Sequence, residues 1–184
     1  ASSLMNLLDR KGEARTQKVW LAFADPVYAG KGLPGQTASA DEISREYYLG
    51  KGFDFSPLPY SGEEVKMVSK LMRKGQREIY TQEGAKEEKL KAIPLKDFKI
   101  LHFATHGLLD ENVSLRSALV LTQDEDPKED GFFQVREIYG TPLASDLVVL
   151  SACQTGKGEL ESGEGVTGLS RAFLYAGAQA VLAS

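Results

Sequence analysis

The chain has 184 residues, with 22 Lys plus Arg against 26 Asp plus Glu, a net charge of −4, 42% hydrophobic and 26% charged residues. These are globular proportions, enough to bury about 70% of the surface that the unfolded chain exposes, and they exclude a polybasic nucleic-acid binder and a disordered chain. No apolar run approaches the ~20 residues of a membrane helix, and the single cysteine, Cys153, excludes an internal disulfide or a cysteine metal cluster. The expected setting is cytoplasmic, with no membrane or direct nucleic-acid partner and no cofactor. No metal is expected either, because with His102 and His106 as the only histidines a zinc site would need carboxylates. The chain opens at Ala1 without an initiator methionine and closes in the apolar stretch Ala180 to Ser184, so a piece of a longer protein is expected.

Val19 to Phe23 is rich in β-formers and stops at Asp25-Pro26, which predicts a first strand, followed by a glycine-rich loop through Gly30, Gly32 and Gly35. Asp41 to Leu49 reads as a short exposed helix, and Ser56-Pro57-Leu58-Pro59 forces an extended approach to the next element. Ser61-Gly62-Glu63-Glu64 fits a capping box, the Ser61 hydroxyl accepting from the third-position amide while Glu64 reaches back. With Val65, Val68, Leu71 and Met72 as its apolar stripe, this predicts a helix from Gly62 to Arg73. Glu78 to Thr81 reads as a short strand, and Lys86 to Ala92 as a short helix stopped by Pro94, its charges forming a solvated face.

Two stretches have the continuous apolar character of buried parallel strands: Phe98 to Thr105, running into His106-Gly107, and Asp146 to Ala152, running into Cys153-Gln154-Thr155-Gly156. Between them, Ala118 to Leu121 and Gly131 to Phe133 flank Gln123 to Asp130 as a hairpin with an exposed acidic tip. That tip lacks the Asp-x-Asp-x-Asp-Gly order of a calcium loop. Val135 to Tyr139 makes a helical turn or two. After Cys153 come a glycine-rich loop, a helix from Val166 to Tyr175 closed by Gly177, and a strand from Gln179 to Ala183, together a βαβ unit. The alternation of strands and helices places the chain in the α/β class.

In open α/β sheets the ligand crevice lies beyond the carboxyl ends of the strands, where His106 and Cys153 would converge as base and nucleophile. An imidazole either takes the thiol proton or, as imidazolium, stabilises the thiolate. Gly107 has no Cβ, so its N–H can approach an oxyanion closely, and the Cys153 N–H supplies a second donor. An isolated cysteine is commonly a small buried hydrophobe, but the strand-to-glycine-loop junction, with Gln154 and Thr155 next, favours the nucleophile. For His106, spacing leaves a catalytic and a hydrogen-bonded loop role both open, while mid-strand His102, on the same face, reads as a core histidine. Gly163 to Gly168 matches G-x-G-x-x-G, yet no strand enters its first glycine directly and no acidic residue follows about 20 positions later. A nucleotide-binding domain is therefore the weakest of the readings.

The blocks His102-Phe103-Ala104-Thr105-His106-Gly107, Asp146 to Gly156 and Gly163 to Leu174 closely resemble the signature blocks of CHAT domains, caspase-like domains often found after tetratricopeptide repeats. Weaker resemblance runs through Ala1 to Leu4, Leu21 to Pro26 and Leu58 to Val68. The resemblance implies one domain over residues 1–184 with a caspase-haemoglobinase fold, a mostly parallel sheet flanked by helices, related to caspases, separase and legumain. It implies a cysteine endopeptidase with a His-Cys dyad: Cys153 the nucleophile, His106 the base or proton donor, and Gly107 with Cys153 the oxyanion hole. Its substrates would be one or a few proteins in a regulated, signalling-type pathway, with tetratricopeptide repeats upstream in the parent protein. The family continues past the position of Ser184, so a missing C-terminal part, and with it part of the substrate groove, is expected. By analogy with caspases, Tyr60, Ser61 and Ser151 would line the primary specificity pocket, an aromatic wall and a small floor suited to an apolar or medium-sized residue rather than an acidic one. The alternative is a non-catalytic, caspase-like interaction module in a signalling assembly.

Overall fold

Strand β1 (Lys18–Pro26) is apolar on both faces, with Leu21 and Phe23 alternating with Trp20, Ala22 and Ala24, all buried, so it can lie only inside a sheet covered on both sides. A computed structural model describes residues 18–28, 40–53, 55–110, 112–123, 129–151 and 164–184. After β1 come α1 (Ala40–Gly50), α2 (Pro59–Ser69), β2 (Arg77–Gln82), α3 (Glu87–Ala92), β3 (Phe98–Ala104) and β4 (His106–Leu108). They are followed by β5 (Ala118–Val120), β6 (Phe132–Gln134), α4 (Val135–Tyr139), β7 (Leu147–Leu150), α5 (Glu164–Ala176) and β8 (Val181–Ala183). The main sheet has five strands in the order β2-β1-β3-β7-β8, and every pairing in it is parallel. Strands β4, β5 and β6 form a separate antiparallel sheet. This is the α/β class expected, with the βαβ unit realised as β7, α5 and β8.

The two faces of the sheet differ in bulk. Leu21, Phe23, Leu101, Phe103, Val148 and Leu150 meet Leu90 of α3, Ile138 of α4 and Leu169, Ala172 and Phe173 of α5 in the largest cluster. Aromatic rings run across the strands there, Phe23 lying 5.1 Å from Tyr80 and 6.1 Å from Phe103. The opposite face is lined by Ala22, Ala24 and Ala104 beside Trp20, and these small residues let α2 settle on the sheet through Val65. A third cluster joins the small sheet to α1 through Tyr48, Phe53, Phe55, Val120 and Phe132. Helix α1 is therefore not simply exposed, since Tyr48 is buried and its hydroxyl donates to the Arg116 carbonyl at 2.5 Å.

Three sequence expectations are corrected by packing. Helix α2 starts at Pro59 and ends at Ser69, not from Gly62 to Arg73. Proline at the first helical position presets φ and has no N–H to leave unpaired. Ser61 then sits within the first turn, donating to the Leu58 carbonyl and accepting from the Asp25 N–H, both at 2.8 Å, so the capping box does not form. The stripe is cut short as well: Val65 is buried but Leu71, beyond the helix, is 81% exposed. His106 does not continue β3, because the chain leaves the sheet at Thr105 and His106 opens β4, in register with Val120. The charged face of α3 is not wholly solvated either, since Glu87 is buried. The expected loop around Gly30 to Gly35 and the hairpin tip Asp124 to Lys128 lie outside the described residues.

Helix α5 ends as expected at Gly177, whose φ of +118° lies in the region that favours glycine. A Cβ there would stand 2.3 Å from the Leu143 carbonyl oxygen. Gly177→Ala should therefore destabilise the fold by about 3 kcal/mol, from backbone strain together with the clash. Gly75→Ala, where a Cβ meets open space, should change stability by no more than about 0.5 kcal/mol. Urea denaturation of the two variants measures the difference, and equal midpoints would show that the turn at Gly177 relaxes.

Candidate active site

His106 is carried to the carboxyl edge of the main sheet by β3 and then turned away from it by β4. The side chain is 1% exposed, and its Nε2 lies 2.7 Å from the Ser56 carbonyl oxygen. A carbonyl can only accept, so Nε2 carries a proton and the lone pair of the neutral ring is on Nδ1. Ser56 belongs to the extended stretch that the prolines impose before α2, which is why its carbonyl faces outward to a partner instead of into a helix.

Tyr28 covers the imidazole, ring centroids 5.0 Å apart and tilted by 37°. The segment after β1 is held in place by Thr122, whose hydroxyl accepts from the Val27 N–H at 3.1 Å and donates to the Gln82 carbonyl at 2.6 Å. The Gln123 N–H adds a bond to the Val27 carbonyl at 3.0 Å. Burial pushes the Tyr28 phenol far above its ordinary range, against the opposing influence of the His106 backbone, so it stays neutral. An aromatic face beside an imidazole stabilises that ring when it is protonated. Gly107, buried in β4, lies opposite Leu119.

Cys153 lies outside the described residues. The strand that leads to it in the sequence, β7, pairs in parallel with β3 up to Phe103 and Leu150, and the Ser151 N–H continues the ladder to the Phe103 carbonyl at 2.9 Å. Ser151, the last described residue before the cysteine, donates its hydroxyl to Glu64 Oε2 at 2.9 Å. The other carboxylate oxygen, Oε1, is 3.0 Å from His102 Nε2. His102 is buried on the α2 face with its ring 5.9 Å from Trp20, and it does not share a strand face with His106. Burial lowers its pKa below the ordinary 6.5, with the Glu64 carboxylate opposing.

Of the expected pocket residues, Ser61 and Ser151 both come to α2, but their hydroxyls are already engaged by Leu58, Asp25 and Glu64. Tyr60 is 80% exposed. Sequence reasoning missed Ser56, Tyr28 and Glu64. The first acts through its backbone, which no residue type advertises. Glu64 carried a signal, the Ser-x-x-Glu spacing, but that spacing pointed to helix capping.

One carboxylate cluster has the spacing of a cation site among the described residues: Glu87, Glu129 and Glu137, with ligand atoms within 4.8 Å of one another. Lys91 already supplies the positive charge there, its Nζ 2.9 Å from Glu87 and 2.7 Å from Glu137 and paired also with Glu129.

A five-stranded parallel sheet flanked by helices, with a histidine at its carboxyl edge, defines a caspase-like α/β fold. A family model described as the CHAT domain matches residues 1–184, and the chain belongs to that family. No curated protein matches the chain. No helix among the described residues is long and apolar enough to cross a membrane.

Burial, reinforced by Glu137, pushes the Glu87 carboxyl up from 4.5 to about 7 against the pull of Lys91. Between pH 4.5 and 7 the folded chain thus binds more proton at Glu87 than the unfolded chain does, and this residue's contribution to stability falls as pH rises through that window. Glu87→Gln should therefore gain about 1 to 3 kcal/mol relative to the parent between pH 5 and pH 8. Urea midpoints at the two pH values measure it, and a mutational effect independent of pH would show that Glu87 titrates alike in both states.

Proposed function

We propose that this CHAT domain is a cysteine endopeptidase with His106 and Cys153 as its dyad, cleaving one or a few protein substrates in a cytoplasmic, signalling-type pathway. The observation that carries the reading is the Ser56 carbonyl on His106 Nε2, which orients the ring and leaves Nδ1 as its basic atom at the carboxyl edge of β3. The adjacent parallel strand is the one that precedes Cys153 in the sequence. In the proposed reaction the Cys153 thiolate attacks the substrate carbonyl carbon while the N–H groups of Gly107 and Cys153 hold the oxyanion. The His106 imidazolium gives its proton to the leaving amine, and water then hydrolyses the thioester. Tetratricopeptide repeats in the parent protein would present the substrate or sense the signal.

The second reading, a non-catalytic interaction module, is favoured by one observation: His106 is almost fully buried. A single experiment separates the two. Cys153 should be alkylated by iodoacetamide at pH 6 at least about tenfold faster in the parent chain than in His106→Ala, because the imidazolium raises the thiolate fraction. Cleavage of a proteome-derived peptide library should fall by about a thousandfold in Cys153→Ala. Equal alkylation rates, together with no difference in cleavage, would establish the interaction module instead.

A further inference from the structure

Glu64 takes no part in the dyad, yet its carboxylate is held in place at this edge of the sheet. Its side chain is 38% exposed, and both oxygens are approached from the inner side, Oε2 by Ser151 Oγ at 2.9 Å and Oε1 by His102 Nε2 at 3.0 Å. Those partners are themselves fixed. His102 is locked in register between Ala22 of β1 and Val149 of β7, and the Ser151 N–H bonds to the Phe103 carbonyl. A surface glutamate samples many rotamers, whereas this one is oriented before any ligand arrives, which removes most of the ordering cost of binding.

Among the described residues Glu64 pairs with no lysine or arginine. Ser151 is a neutral donor, and His102 is predominantly neutral at pH 7 because burial outweighs the pull of Glu64. Among the described residues the one ion-pair partner of Glu64 is His102. A second carboxylate adds to the negative potential. Asp25 stands against the same turn of α2, its Oδ2 3.2 Å from the position of a Cβ on Gly62, and it accepts from the neutral Gln82 amide. The contrast with Glu87 is direct, since there Lys91 supplies the cation from within the chain. A carboxylate offers about four acceptor directions, and the Ser151 hydrogen bond with the close approach of His102 on the inner side leaves the solvent side for a guanidinium fork or an ammonium.

We propose that Glu64 is the specificity-determining residue of this site and receives the arginine or lysine side chain that precedes the scissile bond of a protein substrate. The placement next to the scissile bond rests on the peptidase reading, because Ser151 stands two residues before Cys153 in the sequence. The selectivity for positive charge rests on Glu64, Ser151, His102 and Asp25 alone. The apolar preference expected from Tyr60, Ser61 and Ser151 gives way accordingly: Tyr60 stands in solvent, and both serine hydroxyls are engaged.

Two measurements test this independently. Nα-acetyl-arginine amide and its neutral isostere Nα-acetyl-citrulline amide are titrated into the protein and followed by NMR chemical shifts. Arginine should bind at least about tenfold tighter, as a charge-assisted pair requires, and the difference should vanish in Glu64→Gln but persist in Glu63→Gln, an exposed neighbour on α2. The glutamine can still accept from Ser151, and circular dichroism melting checks that the variant folds. If it does not fold, the arginine-to-citrulline ratio of the parent protein decides alone. In the second measurement, peptides with Arg, Lys, Leu or Asp before the scissile bond are compared by kcat/KM. Arg and Lys should lead by at least about tenfold, and Glu64→Gln should lose that lead mainly through KM. Equal binding of arginine and citrulline overturns the proposal. Cleavage after leucine that ignores Glu64 overturns it too and leaves the peptidase reading standing. Arginine-selective, Glu64-dependent binding without Cys153-dependent cleavage does the reverse: it upholds Glu64 as the receptor of a basic side chain and sinks the peptidase reading.

Discussion

Parallel pairing of β3 with β7, in the register that sets Phe103 against Leu150 and ends on the Ser151 N–H, determines where His102 and Ser151, and with them Glu64, stand at the sheet edge. Side chains alternate along a strand, so a slip of one residue would exchange the faces. His102 would then turn into the apolar layer of Phe23 and Phe173, while Leu101 and Phe103 would meet Glu64. The register is protected by the difference between the two faces, bulky toward α3, α4 and α5, and small toward α2. Because α2 can approach closely over Ala22, Ala24 and Ala104, its Glu64 reaches both His102 on β3 and Ser151 beyond β7.

The edge is completed by contacts between segments far apart in the chain. Thr122 ties the end of β2 to the segment after β1, and that segment places Tyr28 over His106. The stretch before α2 brings the Ser56 carbonyl to the same imidazole. Two distant pieces of chain therefore meet at one histidine, one of them braced by Thr122, and together they cover its ring and fix its tautomer. Two carboxylates illustrate how differently one fold can treat a charge. Glu87 is closed in with an internal lysine and two further acids, whereas Glu64 is held by the Ser151 hydroxyl beside His102 and left partly open.

Periodicity was a reliable guide where burial alone decides the element. The apolar runs around Leu21, Leu101 and Val148 became the central strands, and the glycine at 177 closed its helix as its αL geometry requires. Local rules failed where a distant partner competed for the same atoms. Ser61 has the right hydroxyl at the right spacing for a cap, but the Asp25 N–H and the Leu58 carbonyl take it. Glu64, released from the cap, turns to His102 and Ser151 instead. Glu87 fits the charged face of a short helix by sequence and is nonetheless covered by the segment around Glu129 and Glu137.

The sequence by itself determined the α/β class, the strands that lead to His106 and Cys153, and membership of a family whose signature blocks contain both residues. These features depend on patterns of neighbouring residues, which a linear reading sees in full. Tertiary structure alone decided that His106 leaves the main sheet, that a backbone carbonyl sets its tautomer, and that Glu64 faces the edge with no lysine or arginine paired to it among the described residues. Each of these depends on atoms brought together across many residues, His106 to Ser56 and Ser151 to Glu64, and hydrogen bonding at that range follows from the packing of layers rather than from any spacing along the chain.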